Sequence, residues 1–286
     1  MADQALDATL SDAVEVVAAT PVSAPPTAEP ELDDNTILRL TQEIKDTEAA
    51  KSPLVGEFKK IEILLDQYDD VTFRSKIKAL GSGGAGYRPI RGDGNCAWRA
   101  FGFRYFELVH DLPQEEISKL HKYVESRNAL LDLAGYHETA YGDFVEETLN
   151  LFGRLPTLTS EQLLEEFNNP EISSAIVVHF RLLAAAYVKT HGEDYAPFID
   201  DADGTTVDDY CSRHIEAFAV EADHLALSAF VNAMPTVSLG IVYMDRSDGE
   251  EAVVHHFSSI EPPPDDLRQF EIDLLYRPGH YDIFYR

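Results

Sequence analysis

The chain has 286 residues, with 23 Lys and Arg against 51 Asp and Glu, a formal net charge of −28, and two cysteines. That length supplies one large domain or two small ones, and the 44% hydrophobic and 10% aromatic shares are those of a globular protein. The charge repels phosphate backbones and excludes a general nucleic-acid binder, Cys96 and Cys211 are too few for a disulfide scaffold, and apolar stretches shorter than ~18 residues predict no membrane span.

The opening Met1-Ala2-Asp3-Gln4 lacks the basic-then-apolar order of a signal peptide, so reduced cysteines and a cytoplasmic location, with the nucleus as an additional one, are expected. Residues 1–38 carry eight acids, four prolines and no Lys or Arg, a composition that predicts a disordered acidic tail over 1–33. The remainder keeps 43 acids against 23 bases, so the folded body is itself acidic. Asp34 or Asn35 can cap a helix near Thr36, with Ile37, Leu40 and Ile44 on one stripe, and Pro53 stops it. Val55, Phe58, Ile61, Leu65 and Tyr68 fall at helical spacing, which completes an expected helical arm over 34–80. After the glycine loop 81–86, helices are expected near 97–109, 114–132, 138–152, 160–168, 172–190, 206–219 and 223–233. Thr159 to Gln162 and Thr205 to Asp208 read as capping boxes or close relatives. From Val237 the period changes to two, giving strands over 237–244, 252–257, 272–276 and 280–285. Helices first and strands late make the fold class α+β.

Three patterns suggest sites that the context disfavours. Gly81, Gly83 and Gly86 match a dinucleotide-binding glycine pattern, but a charged helical stretch precedes them where a strand is required. Asp200 to Gly204 misses the register of a calcium loop and reads as a turn. Cys211 with His214, or His255-His256, has no second ligand pair to complete a zinc site, so Cys211 is expected to be a core thiol. No cofactor and no metal are expected.

The chemically loaded segment is Arg91-Gly92-Asp93-Gly94-Asn95-Cys96. A polar glycine turn delivers Cys96 to the start of a helix, where unpaired N–H groups and the helix dipole stabilise a thiolate. The N–H groups from Asp93 through Cys96 are candidates for an oxyanion hole. Residues alone leave a second reading open, a thiol that packs behind a turn. A cysteine nucleophile requires a base, and among ten histidines His280 stands apart. In a strand, Asp282 shares the face of His280 and can orient its imidazole, with Ile283 and Phe284 holding the strand in the core. A structural histidine remains the alternative here too.

Asp93-Gly94-Asn95-Cys96 followed by Arg99-Ala100-Phe101 is similar to the nucleophile motif of the ovarian-tumour (OTU) class of cysteine deubiquitinases. Tyr276 to Ile283 (Tyr-Arg-Pro-Gly-His-Tyr-Asp-Ile) resembles the terminal motif of the otubain branch, and segments at Val178 to Leu183, Phe198-Ile199, Ala222 to His224 and Val242 to Arg246 resemble otubains in the same order. Ala97 stands where otubains usually carry an aromatic, Gly92 replaces a frequent proline, and Glu261 to Asp266 looks like an enlarged loop.

The resemblance implies a papain-like OTU fold over 87–286, a helical lobe packed on a small, mostly antiparallel sheet. It implies Cys96 as nucleophile, His280 as general base, Asp282 as orienting acid and Asp93 as part of the oxyanion turn. The implied reaction is isopeptide hydrolysis of ubiquitin chains, with a preference for the 48-type linkage and a second ubiquitin held by residues 36–48. Expected partners are ubiquitin and polyubiquitin, with the chain a monomer. Two rival functions stay open: a non-catalytic binder of ubiquitin-charged conjugating enzymes, and a general peptide protease.

Overall fold

The computed structural model describes residues 52–199, 205–247 and 249–286. The expected acidic tail, the helix near Thr36 and the turn at Asp200 to Gly204 lie outside the described residues.

The first described stretch departs from the helix expected over 55–68. Val55 bridges Ile90, Lys59–Lys60 form a short strand, β1, and Ile61–Asp66 make a 3-10 helix. Of the expected stripe Val55 and Ile61 are buried, Leu65 and Tyr68 are half-buried and Phe58 is exposed; Leu64 is buried as well, against a sheet that fixes the backbone in tighter turns. Next comes α1, Val71–Ser82, whose first turn is capped by Asp70 Oδ1 accepting from the N–H groups of Thr72 and Phe73. α1 contains Gly81, and Gly86 opens strand β2, Gly86–Arg88. Helix therefore precedes strand, the reverse of a dinucleotide site. Ile61, Leu64, Phe73 and Ile77 share a core with Tyr87, Leu275 and Phe284, so this segment packs on the sheet from Ile61 onward.

The helical lobe follows the expected order: α2 (Cys96–His110), α3 (Gln114–Arg127), α4 (Ala129–Leu133), α5 (Glu138–Arg154), α6 (Ser160–Asn168) and α7 (Pro170–Thr190). The single helix expected over 114–132 divides at Asn128, whose Oδ1 lies 2.7 Å from His179 Nε2. Thr159 and Gln162 form the predicted capping box of α6, and Asn169 with Pro170 starts α7. α7 is long and apolar enough to cross a membrane by composition, which corrects the sequence reading that no stretch reached that length. His179 and Arg181 interrupt its apolar run, and 67% of the qualifying window is buried inside the protein. It is the central core helix. Phe180 on it meets Phe101 and Phe230, and Phe101 and Phe230 stand edge to face at 4.5 Å.

The helix expected over 206–219 is shorter and changes type. Thr206 caps a single turn, Val207–Tyr210, through a box with Asp209, and Cys211–Glu216 continue as a π-helix. The carbonyl of Ile215 accepts from Arg181 Nη1 at 2.9 Å, and Ala219 then takes φ +65°, so the backbone leaves the α register here. α8, His224–Ala233, is capped by Asp223 and returns to the core.

Strands β3 (Val237–Tyr243), β4 (Val253–Phe257), β5 (Phe270–Arg277) and β6 (His280–Tyr285) appear where the period-two pattern put them. β1 and β2, too short to show a pattern, complete a six-stranded sheet in the order β1-β2-β6-β5-β3-β4. β3 and β5 are parallel and the remaining neighbours antiparallel. The enlarged loop before β5 is tied down where the Ile260 N–H donates to Asn232 Oδ1 at 3.0 Å. On β6, Tyr281 and Ile283 enter the large core while Phe284 faces the smaller one under α1. That alternation places His280 and Asp282 on one face.

Candidate active site

Cys96 is the first residue of α2 and is almost fully buried. Gly94 (φ +76°) lets the chain turn into the helix, and a Cβ there would stand 2.0 Å from the carbonyl oxygen of Ala219. Only glycine fits both the angle and the space. Of the four N–H groups from Asp93 to Cys96, two are already used. The Asp93 N–H donates to Arg91 O at 3.0 Å, and the Asn95 N–H donates to Asp93 Oδ1 at 3.0 Å. The N–H groups of Gly94 and Cys96 have no partner among the described residues, which narrows the expected oxyanion donors to these two. Asp93 serves the turn through its carboxylate, which also accepts from Arg99 Nη1 at 2.8 Å.

At the end of the sheet, His280 Nε2 donates to Asp282 Oδ1 at 2.9 Å, so the other ring nitrogen is left for the thiol. Asp282 is fully buried; Oδ1 also accepts from the Ile90 N–H at 2.9 Å, and Oδ2 accepts from Arg277 Nη2 at 2.5 Å. Burial alone pushes the His280 pKa down, but its hydrogen bonds to Asp282 and Cys96 and the charges of both outweigh that and lift it to about 10. The ring thus joins Cys96 and Asp282, residues 186 positions apart in the chain. Gly92 lies beside it, since a Cβ there would sit 3.5 Å from His280 Nδ1.

Asn95 is not free to orient the imidazole: its Oδ1 accepts from Arg181 Nη2 at 2.8 Å and from the Ala219 N–H at 3.1 Å. The arginines Arg99, Arg181 and Arg277 are the site residues that motif reasoning left without a role. Arg277 had a readable signal, because the hairpin register sets it opposite His280. Cys211 is the expected core thiol, fully buried, with burial pushing its pKa up to about 12. Two grooves adjoin the site. One of about 840 Å³ is bordered by Tyr68, Asp69, Asp70, Arg277 and His280, and one of about 550 Å³ by Glu221, Asp223, Tyr276 and Tyr281.

The peptidase C65 otubain family pattern matches residues 47–286. The chain belongs to the otubain family. This otubain is 32% identical over 256 residues to ubiquitin thioesterase OTUB1 of Homo sapiens, covering 88% of this chain and 90% of that protein. It is 33% identical over 271 residues to the otubain-like ubiquitin thioesterase of Caenorhabditis elegans, with 91% of each covered. Among solved structures it resembles h/ceOTUB1 in a complex with ubiquitin aldehyde and UBC13~Ub, with a TM-score of 0.73 at 31% identity over 88% of this chain and 98% of that one. The α+β architecture described above is thus the otubain fold.

Proposed function

We propose that this otubain, a cysteine-type deubiquitinase, hydrolyses the isopeptide bond between a ubiquitin C-terminus and a lysine amine with Cys96 as nucleophile, His280 as general acid and base, and Asp282 orienting the imidazole. The observation that carries the reading is the His280 ring, bonded at 2.9 Å to buried Asp282 and close enough to Cys96 for the sulfur to raise its pKa. Cys96 gives its thiol proton to His280 as its sulfur bonds to the carbonyl carbon, and the π pair of the carbonyl moves to its oxygen, beside the free N–H groups of Gly94 and Cys96. Collapse expels the lysine nitrogen, which takes the proton from His280, and ubiquitin remains as a thioester. Water gives a proton to His280, attacks the thioester carbon and displaces the sulfur, which frees the ubiquitin carboxylate and restores the pair.

The reading extends to 48-type chains, with residues 36–48 holding the second ubiquitin on the leaving-group side; family resemblance supports it. Deleting residues 1–48 should leave labelling by a ubiquitin bearing a C-terminal electrophile intact and slow diubiquitin cleavage. An unchanged diubiquitin rate would remove the arm from the substrate site. A second reading, binding of ubiquitin-charged conjugating enzymes, is favoured by the complexes of h/ceOTUB1 with UBC13~Ub and UBCH5B~Ub. Cys96→Ala would retain such binding while losing cleavage.

A further inference from the structure

Arg181 projects from α7 and is completely buried. Nη2 donates to Gly94 O at 3.0 Å, Asn95 Oδ1 at 2.8 Å and Val220 O at 2.6 Å, and Nη1 donates to Ile215 O at 2.9 Å. Its guanidinium carbon lies 5.3 Å from the Trp98 ring centre. Among the described residues it forms no ion pair, and its Nε, also buried, has no partner. A buried cation without a carboxylate partner carries a desolvation cost, so stability alone would favour an apolar side chain here.

We infer that Arg181 is a positioning residue for the nucleophile turn: it holds the peptide between Gly94 and Asn95 so that the N–H groups of Gly94 and Cys96 face the oxyanion. The inference rests on the catalytic reading above. The peptide is held at both ends, its carbonyl by Arg181 and its N–H by Asp93, which Arg99 braces in turn. Were the carbonyl released, the peptide could rotate and the free donors would leave their aim. Arg181 also ties the turn to the 215–220 segment, whose Ala219 N–H shares the Asn95 Oδ1 acceptor and whose Ala219 carbonyl packs on Gly94. Glu221, next in the chain, borders one of the grooves, so the same side chain links groove wall and nucleophile. Burial lowers the Arg181 pKa to about 10, and the negative charges of Asp93 and Cys96 partly oppose that fall, which places the guanidinium within electrostatic reach of the sulfur.

The test compares wild type with Arg181→Lys, Arg181→Met and Asn95→Ala, each checked for folding by its melting curve. Turnover is read with ubiquitin carrying a fluorogenic C-terminal amide, and binding with ubiquitin and with ubiquitin aldehyde. The Cys96 thiol adds across the aldehyde C=O, its proton passing to the oxygen, so the adduct mimics the tetrahedral intermediate. Arg181→Lys, which keeps the charge and loses the planar fork, should lower kcat about 10-fold or more with KM within about twofold. Affinity for the aldehyde should fall by the same factor while affinity for ubiquitin holds. Should neither Arg181 variant fold, Asn95→Ala carries the test, because it removes the acceptor that Arg181 and Ala219 share. Folded variants with wild-type kcat and aldehyde affinity would overturn the inference alone. A wild type that does not turn over the substrate would overturn the catalytic reading and this inference with it.

Discussion

Arg277 and His280 hold opposite oxygens of one carboxylate: Asp282 Oδ2 accepts from Arg277 and Oδ1 from His280. They face each other across the β5–β6 hairpin, and Asp282 is buried beneath both. Arg277 thereby satisfies the second oxygen of the carboxylate while the first steers the imidazole. Arg277→Gln should lower stability by about 3–5 kcal/mol, the cost of breaking a buried pair from one side. The double variant Arg277→Gln/Asp282→Asn should recover a large part of the melting temperature and none of the activity. A double variant less stable than Arg277→Gln would show that the pair is not coupled as described.

Changing the orienting acid alone should separate catalysis from folding. Asp282→Asn keeps the size and loses the charge that supports an imidazolium, and Asn95 is too engaged with Arg181 to replace it. Diubiquitin cleavage should fall at least about 100-fold. His280→Ala should abolish it while the chain still folds, because Tyr281, Ile283 and Phe284 still hold β6 in the core. Cleavage by His280→Ala at the parental rate would end the Cys–His reading.

The raised His280 pKa has a consequence for stability as pH changes. Its folded value of about 10 lies above the ordinary histidine value of 6.5, so the protonated ring favours the folded state. That contribution is fully present below pH 6.5 and fades as pH rises through about 10. The melting-temperature difference between wild type and His280→Gln should therefore shrink from neutral pH towards pH 10. A difference that stays constant over that window would contradict the raised pKa of His280 in the folded protein.

The contact between Gly94 and Ala219 predicts an asymmetric pair of substitutions. Gly94→Ala places a methyl where backbone stands 2.0 Å away and strains a φ of +76°, so both melting temperature and kcat should drop sharply. Ala219→Gly relieves a left-handed alanine and should be neutral or stabilising by up to about 1 kcal/mol. Comparable losses in both variants would mean that the turn tolerates movement that the geometry forbids.

What could be read from sequence followed the range of the forces involved. α2 and β6 were legible because their apolar periods and the glycine turn before Cys96 are local signals, and His280 and Asp282 share a face by strand geometry alone. The segment around Ile61 misled, since Ile61 and Leu64, three positions apart, suit a 3-10 helix as well as an α-helix once a sheet lies beneath them. β1 and β2 exist only through their pairing with β6. Arg181 was invisible as a site residue because its acceptors at Gly94, Asn95, Ile215 and Val220 are 34 to 87 positions away. Lys76 makes the same point: a lysine on a charged helical stretch proves fully buried, bonded to Asp245 and Ser247.

The central claim is that Cys96, activated by His280, is the nucleophile. The most direct measurement is mass-spectrometric mapping of the adduct formed with a ubiquitin bearing a C-terminal electrophile, for wild type, Cys96→Ala and His280→Ala. One adduct per chain is expected, on Cys96, absent in Cys96→Ala and slowed in His280→Ala, with buried Cys211 unmodified throughout. An adduct on Cys211, or labelling of Cys96→Ala at the wild-type rate, would contradict it.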